Sequence, residues 1–208
     1  MNKTTEIIVL LDRSGSMQSN KLDHIEGLNS LVAKQKLAEG NANFTLVQFD
    51  DVASCEVVYN QMPIQEVGDC PLNPRGRTPL FDAIGRAISL VDEKVKNASH
   101  VIFTIITDGL ENASKEYTKS TVRSLIEERE KGKWTFNYLG ANVDSFGEAG
   151  SLGISSGATS NYKVGKDAIR AMYSNYSDNV SNSRMAMNLS SMKSSMDFSD
   201  KQREEMNK

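Results

Sequence analysis

The sequence is poor in the residues on which several kinds of chemistry depend. Its 208 residues include only two cysteines, Cys55 and Cys70, two histidines, His24 and His100, and four prolines. The cysteines lie in neither metal-ligand spacing nor a Cys-x-x-Cys motif, so reduced, structurally incidental thiols are expected. Neither histidine has an evident Ser or Cys partner, which removes catalytic triads and leaves surface or structural roles. Charge of one sign is not in excess: 24 Lys and Arg against 27 Asp and Glu give a net −3 and a pI near 5.5. With no basic footprint for phosphate backbones, nucleic acid is not an expected partner. Long apolar runs are absent too. Ile7 to Leu11 and the Thr-interrupted Val101 to Ile106 fall far short of the roughly 20 residues that cross a bilayer, so no membrane partner is expected. The start, Met1 to Glu6, places a charged residue before a short apolar run and offers no secretory pattern; a cytoplasmic protein is expected. There is no Gly-x4-Gly-Lys-Ser/Thr phosphate loop, no Gly-x-Gly-x2-Gly fingerprint and no internal repeat.

What is present is a rhythm. Short apolar runs alternate with helical patterns, as in a sheet with crossover helices. Ile7 to Leu11 reads as a strand buried on both faces. A helix follows from about Asp23 to Ala38, ended by Gly40. Phe44 to Phe49 and Val52 to Tyr59 read as an antiparallel hairpin across Asp50-Asp51, suited to a sheet edge. The segment from Met62 to Pro79 holds all four prolines and reads as a loop. Pro79 opens a helix through Val91, and Val101 to Thr107 is a second buried strand. Then come a polar helix from about Lys115 to Lys131, a strand at Trp134 to Leu139, a short helix at Asp144 to Leu152, a brief strand within the Ser/Gly-rich stretch Gly153 to Ser160 and a helix from about Lys166 to Val180. This order predicts an α/β, doubly wound, mostly parallel sheet with one antiparallel edge strand, flanked by helices. The domain is expected over residues 1–165, with a helical Ser/Met-rich C-terminal extension over 166–208. There Met185, Leu189, Met192 and Met196 fall on one helical face, which either lies back on the domain or docks another subunit. Ser199 and Gln202 have capping-box spacing, so a final helix near Asp200 to Met206 is expected.

The chemistry concentrates at two strand ends. Asp12-Arg13-Ser14-Gly15-Ser16 follows the first buried strand and Asp108-Gly109 follows the second. In a doubly wound sheet ligands collect beyond the carboxyl ends of the strands, where strand order reverses. Two aspartates brought together there repel each other unless a cation or a proton intervenes. Carboxylate and hydroxyl oxygens without a placed Cys or His suit a hard cation, and Mg2+ is the first choice, with Mn2+ or Ca2+ as alternatives. Ser14 and Ser16 sit two apart on one turn, and Thr78 precedes the helix-opening proline in Arg75-Gly76-Arg77-Thr78-Pro79-Leu80.

Asp12-x-Ser14-x-Ser16, Thr78 in its Gly-x-Thr-Pro-Leu context and Thr107-Asp108-Gly109 together resemble the metal-ion-dependent adhesion site (MIDAS) of von Willebrand factor type A (VWA) domains. The resemblance spans about residues 5 to 165, and the chain looks like the compact cytosolic members found in bacteria and phages. It implies a Rossmann-like sheet with one antiparallel edge strand. It also implies that Ser14, Ser16 and Thr78 contact a metal through hydroxyls while Asp12 and Asp108 bind it directly or through water. Nothing carries over to the region after residue 165.

Two carboxylates bound directly would neutralise a divalent cation, but where they act through water the inner shell is neutral hydroxyls, and the ion stays electrophilic and seeks an anion. The expected function is therefore a divalent-metal-dependent protein-binding module, in which an Asp or Glu of a protein partner completes the coordination. Arg13, Arg75 and Arg77, in the same loops, either help attract that acidic partner or are ordinary solvated charges. The chain is not expected to be an enzyme and no catalytic residues are assigned. The alternatives are a Mg2+-dependent phosphoryl-transfer enzyme using the same crevice, and an accessory subunit of a ribonucleoprotein or of a chaperone-like ATPase. Phosphoryl transfer through Asp12 expects an acid two residues on, and Ser14 stands there.

Overall fold

The computed structural model describes residues 4–53, 55–141 and 144–208. Met1 to Lys3, used above in reading the chain start, lie outside them, as does Ser54 in the expected second hairpin strand. Strands β1 (Thr4–Asp12), β2 (Asn41–Phe49), β3 (Glu56–Pro63), β4 (His100–Thr107), β5 (Trp134–Gly140) and β6 (Thr159–Asn161) form one sheet in the order β3-β2-β1-β4-β5-β6. Among the described residues only the β2–β3 pairing is antiparallel; the other four are parallel. From β1 the chain steps first to β2 on one side and later to β4 on the other, so order reverses between β1 and β4. The crevice of a doubly wound sheet lies at that point.

Helices cover both faces: α1 (Lys21–Leu37), α2 (Leu80–Val91), α3 (Lys119–Glu130), α4 (Ser145–Ser151), α5 (Lys166–Met185), α6 (Leu189–Ser194) and α7 (Asp200–Met206). Residues 7 to 11 of β1 are wholly inaccessible. Alternation along β1 explains why: Ile7, Val9 and Leu11 face Leu28 and Leu31 of α1 and Ile169, Tyr173 and Tyr176 of α5, whereas Ile8 and Leu10 face Ala83 and Ile84 of α2. Helix α5 thus supplies core to the same sheet face as α1. Met196, Phe198 and Met206 extend that cluster, so the chain beyond residue 165 packs into the domain's own core.

Several boundaries differ from expectation, α5 among them, which runs on to Met185 rather than ending near Val180; three departures have a local reason. The second hairpin strand runs Glu56–Pro63 rather than Val52–Tyr59, because the Asp50 carboxylate accepts the Val52 and Ala53 amides at 2.7 Å each and bends the chain into a turn first. The polar helix starts at Lys119 rather than Lys115: the amides of Lys115, Glu116 and Tyr117 donate to Asp82, and Thr118 then caps the helix by accepting from Thr121. The Met-bearing face is not one helix. The chain turns extended at Ala186, leaving Met185 58% and Leu189 38% exposed while Met192 and Met196 are buried. The final helix and its capping box at Ser199 and Gln202 are present as read.

Both cysteines are free thiols. Both histidines are buried: His24 Nδ1 pairs with the Tyr173 hydroxyl at 3.0 Å, and His100 bridges Ser183 at 2.9 Å and Thr135 at 2.8 Å. Their roles are structural. Among the described residues no helix is long and apolar enough to cross a membrane.

Candidate metal site

Parallel pairing puts the carboxyl ends of β1 and β4 side by side, with Leu11 opposite Ile106. Asp12 and Thr107 therefore emerge together. Thr107 Oγ1 donates to Asp12 Oδ2 at 2.6 Å, and the Ser14 amide donates to Asp12 Oδ1 at 2.6 Å. The next turn brings the hydroxyls of Ser14 and Ser16 within 3.0 Å of each other, and Ser16 Oγ donates to Asp108 Oδ1 at 2.5 Å. Four of the five expected ligands are thus linked through hydrogen bonds across the crevice.

Thr78 joins them from the third segment. Its amide donates to Asn112 Oδ1 at 3.0 Å and its carbonyl accepts from the Asn112 amide at 3.1 Å. Glu111 braces the same loop, accepting from the amides of Phe81, Ala113 and Ser114. Asp82 does so from the α2 side, and backbone bonds to the Lys115, Glu116 and Tyr117 amides hold its carboxyl below the usual range against the upward push of its burial. The β4 loop and the start of α2 are thereby clamped together.

Gly109 shows where these groups converge. A Cβ on that residue would lie 3.2 Å from Thr78 Oγ1 and 3.9 Å from both Asp12 Oδ2 and Ser16 Oγ. Glycine leaves a space bounded by oxygens from all three segments, a cradle that one methyl group would fill. The structure brings Asp12, Ser14, Ser16, Thr78 and Asp108 together, and Asp12, Ser14, Thr78 and Asp108 are buried. Among the described residues no group of three or more His, Cys, Asp and Glu is assembled for a metal, so a cation here relies on hydroxyls beside the two carboxylates. That donor set fits a hard divalent ion.

The electrostatics agree with the geometry. Burial raises the Asp12 carboxyl from 3.8 to about 6, the nearby Asp108 adding to the rise, despite the hydrogen bonds from Thr107 and Ser14. Burial likewise raises Asp108. Each carboxylate is costly to ionise in the absence of a cation.

Of the three arginines, Arg13 is placed differently from expectation, whereas Arg75 and Arg77 are exposed to solvent. Arg13 is 3% exposed and donates through Nε to Asp50 at 2.8 Å and through Nη1 to Glu56 at 2.7 Å. Arg75 donates to Asp50 and Arg77 to Asp51, each at 2.9 Å. Arg13 is neither solvated nor free to meet a partner, and all three guanidiniums are bound to acids of this chain. Sequence reasoning missed Asp50, Asp51, Asp82, Glu111 and Asn112. Only Asp50-Asp51 had drawn notice, as a turn.

The von Willebrand factor type A domain family model matches residues 6–146. No curated protein sequence matches the chain. Among solved structures, proximal thread matrix protein 1 from the mussel byssus, with a zinc-occupied MIDAS motif, superposes with a TM-score of 0.58 at 14% identity, over 83% of this chain and 44% of that one. The VWA domain of SpRpn10 gives 0.53 at 12% identity, covering 79% of this chain and 88% of that one. Manganese-loaded TRAP protein from Plasmodium vivax gives 0.55 at 15%, covering 82% and 72%. At these identities the likeness is one of fold, and the chain spans less than half the length of the mussel protein.

Proposed function

This chain belongs to the von Willebrand factor type A domain family, and we propose that it is a non-enzymatic, divalent-cation-dependent module that binds a protein partner through an acidic side chain. One observation carries the reading: oxygens from three distant segments bound the small space beside Gly109. Ser14, Ser16 and Thr78 would hold the ion through hydroxyls, with Asp12 and Asp108 behind them, directly or through water. When bound, the ion supplies a hard Lewis-acid centre for a carboxylate from outside, with Mg2+ the first choice and Mn2+ or Ca2+ as alternatives.

The chain's own groups prepare that contact. Thr107 and the Ser14 amide orient the Asp12 carboxylate by occupying one lone pair on each oxygen. Ser16 is exposed and marks the side open to solvent. Nothing in the site favours phosphoryl transfer: Asp12 is fully buried and Ser14 replaces the second acid. The zinc-occupied and manganese-loaded neighbours support a divalent ion in general.

The test is capture of proteins from a cell extract on immobilised wild type and Thr78→Ala, in Mg2+ and in EDTA. A set of proteins retained only by wild type with Mg2+ is expected. Equal capture under all four conditions refutes the reading.

A further inference from the structure

We propose that Asp50 and Asp51 are positioning residues for this metal site, holding Arg13 and the Arg75-Gly76-Arg77 segment so that the Ser14/Ser16 turn and Thr78 keep their spacing. The inference rests on the reading of the site as a divalent-cation site.

Residue 13 lies between Asp12 and Ser14, and residues 75 to 77 run directly into Thr78. Two backbone hydrogen bonds join these segments: the Arg75 amide to the Arg13 carbonyl at 2.8 Å and the Gly15 amide to the Gly76 carbonyl at 3.0 Å. The acidic pair after β2 fixes both from one side. Asp50, with no exposed surface, accepts Arg13 Nε at 2.8 Å and Arg75 Nε at 2.9 Å on the same oxygen. Its other oxygen holds the Val52 and Ala53 amides. Asp51 accepts the Arg77 amide on Oδ1 and Arg77 Nε on Oδ2, both at 2.9 Å. Gly76 has φ +69°, and a Cβ there would lie 2.1 Å from Asp51 Oδ1. Left-handed backbone and close approach both require glycine, so the fit between Asp51 and this segment is specific.

These contacts place backbone more than they add stability. The Arg77–Asp51 pair is exposed on the arginine side, where ion pairs contribute little. The Asp51 bond to the Arg77 amide, however, grips the residue next to Thr78. Losing a group that orients a metal's ligands typically costs about 10–100-fold in affinity.

The experiment measures Mn2+ affinity by electron paramagnetic resonance on the full chain, with the metal-free melting temperature recorded alongside. Asp51→Ala is expected to lose about tenfold in affinity with a nearly unchanged metal-free melt. Asp51→Asn, still able to accept the Arg77 amide, is expected to retain most of the wild-type affinity. Asp50→Asn is expected to weaken Mn2+ at least as much as Asp51→Ala; should it fail to fold, Asp51→Ala decides. Wild-type affinity in Asp51→Ala overturns the positioning role while leaving the site intact. Equal losses in Asp51→Asn and Asp51→Ala also overturn it, because they would trace to charge rather than to the amide bond. Failure of the wild type to bind Mn2+ overturns both readings.

Discussion

Adding a divalent cation is expected to stabilise this fold, and the pH dependence of the gain is set by Asp12. Burial lifts its carboxyl from 3.8 to about 6. That difference, at about 1.4 kcal/mol per pH unit, corresponds to about 3 kcal/mol given up by the metal-free fold when the group is ionised. Folded Asp12 holds its proton more tightly than unfolded Asp12, so its contribution to stability is greatest below the unfolded value and falls as pH rises to about 6. Asp108, raised by burial, acts in the same direction. A bound cation favours the ionised carboxylates, so its effect is full above about pH 6 and fades in acid as protons compete. At a hundredfold excess over Kd the gain is about 2.7 kcal/mol. For a domain of this size that is about 5–10 °C in Tm. Scanning calorimetry with EDTA or with Mg2+ or Mn2+, at about pH 7.5 and about pH 5, measures it. Identical melting curves near neutrality, or a metal-induced shift larger in acid, would refute the reasoning.

Three further outcomes are expected. Gly109→Ala places a methyl group 3.2 Å from Thr78 Oγ1, so calorimetric titration should show metal affinity reduced by about tenfold or more while circular dichroism shows the fold retained. His24 and His100 are each lowered to about 4, first by burial and, for His100, also by Lys193; proton-detected NMR titration should find both imidazoles neutral at pH 6. Because the unfolded imidazoles bind protons more readily, the stability they contribute is complete above about 6.5 and is lost as pH falls towards 4, about 3 kcal/mol each. A chain ending at residue 165 lacks Ile169, Met172, Tyr173, Tyr176 and Val180 from the core, and should show no cooperative urea transition.

Much of the architecture was legible because its causes are local. An apolar run with turn residues after it announces β1 and β4 whatever they pair with, and Pro79 announces the start of α2. The site was legible because strand ends carry their ligands with them: once Ile7 to Leu11 and Val101 to Thr107 are neighbouring buried strands, Asp12 and Asp108 must meet. What was hidden depends on partners distant in sequence. Arg13 meets Asp50 across 37 residues and Arg77 meets Asp51 across 26, and nothing in Asp12-Arg13-Ser14 distinguishes a buried guanidinium from a solvated one. The start of α3 was misread for the same reason, since Lys115, Glu116 and Tyr117 are tied to Asp82 on another helix. The Met-bearing stripe shows the limit of periodicity. Its spacing is helical, but Ala186 turns extended and only Met192 and Met196 reach the core.

Two acidic residues at this end of the sheet, Asp12 and Asp50, explain each other. Asp12 ends β1 and Asp50 follows its parallel neighbour β2, and both are fully inaccessible to solvent. Burial pushes each carboxyl up, yet Asp50 ends below the ordinary value, because the Ala53 and Val52 amides, Arg75 and Arg13 outweigh it. Asp12 receives hydrogen bonds from Thr107 and Ser14 but no guanidinium, and it ends near 6. Arg13, Arg75 and Arg77 are committed to Asp50, Asp51 and Glu56, although Arg13 is the residue adjacent to Asp12 in the chain. Turning Arg13 away leaves the Asp12 charge for a cation from solution to neutralise. The same turn ties the Ser14/Ser16 loop to the segment that carries Thr78. A single arginine placement therefore both ties two of the cradle's segments together and keeps the Arg13 charge on Asp50 and Glu56 rather than on Asp12, which suits a reversible cation site.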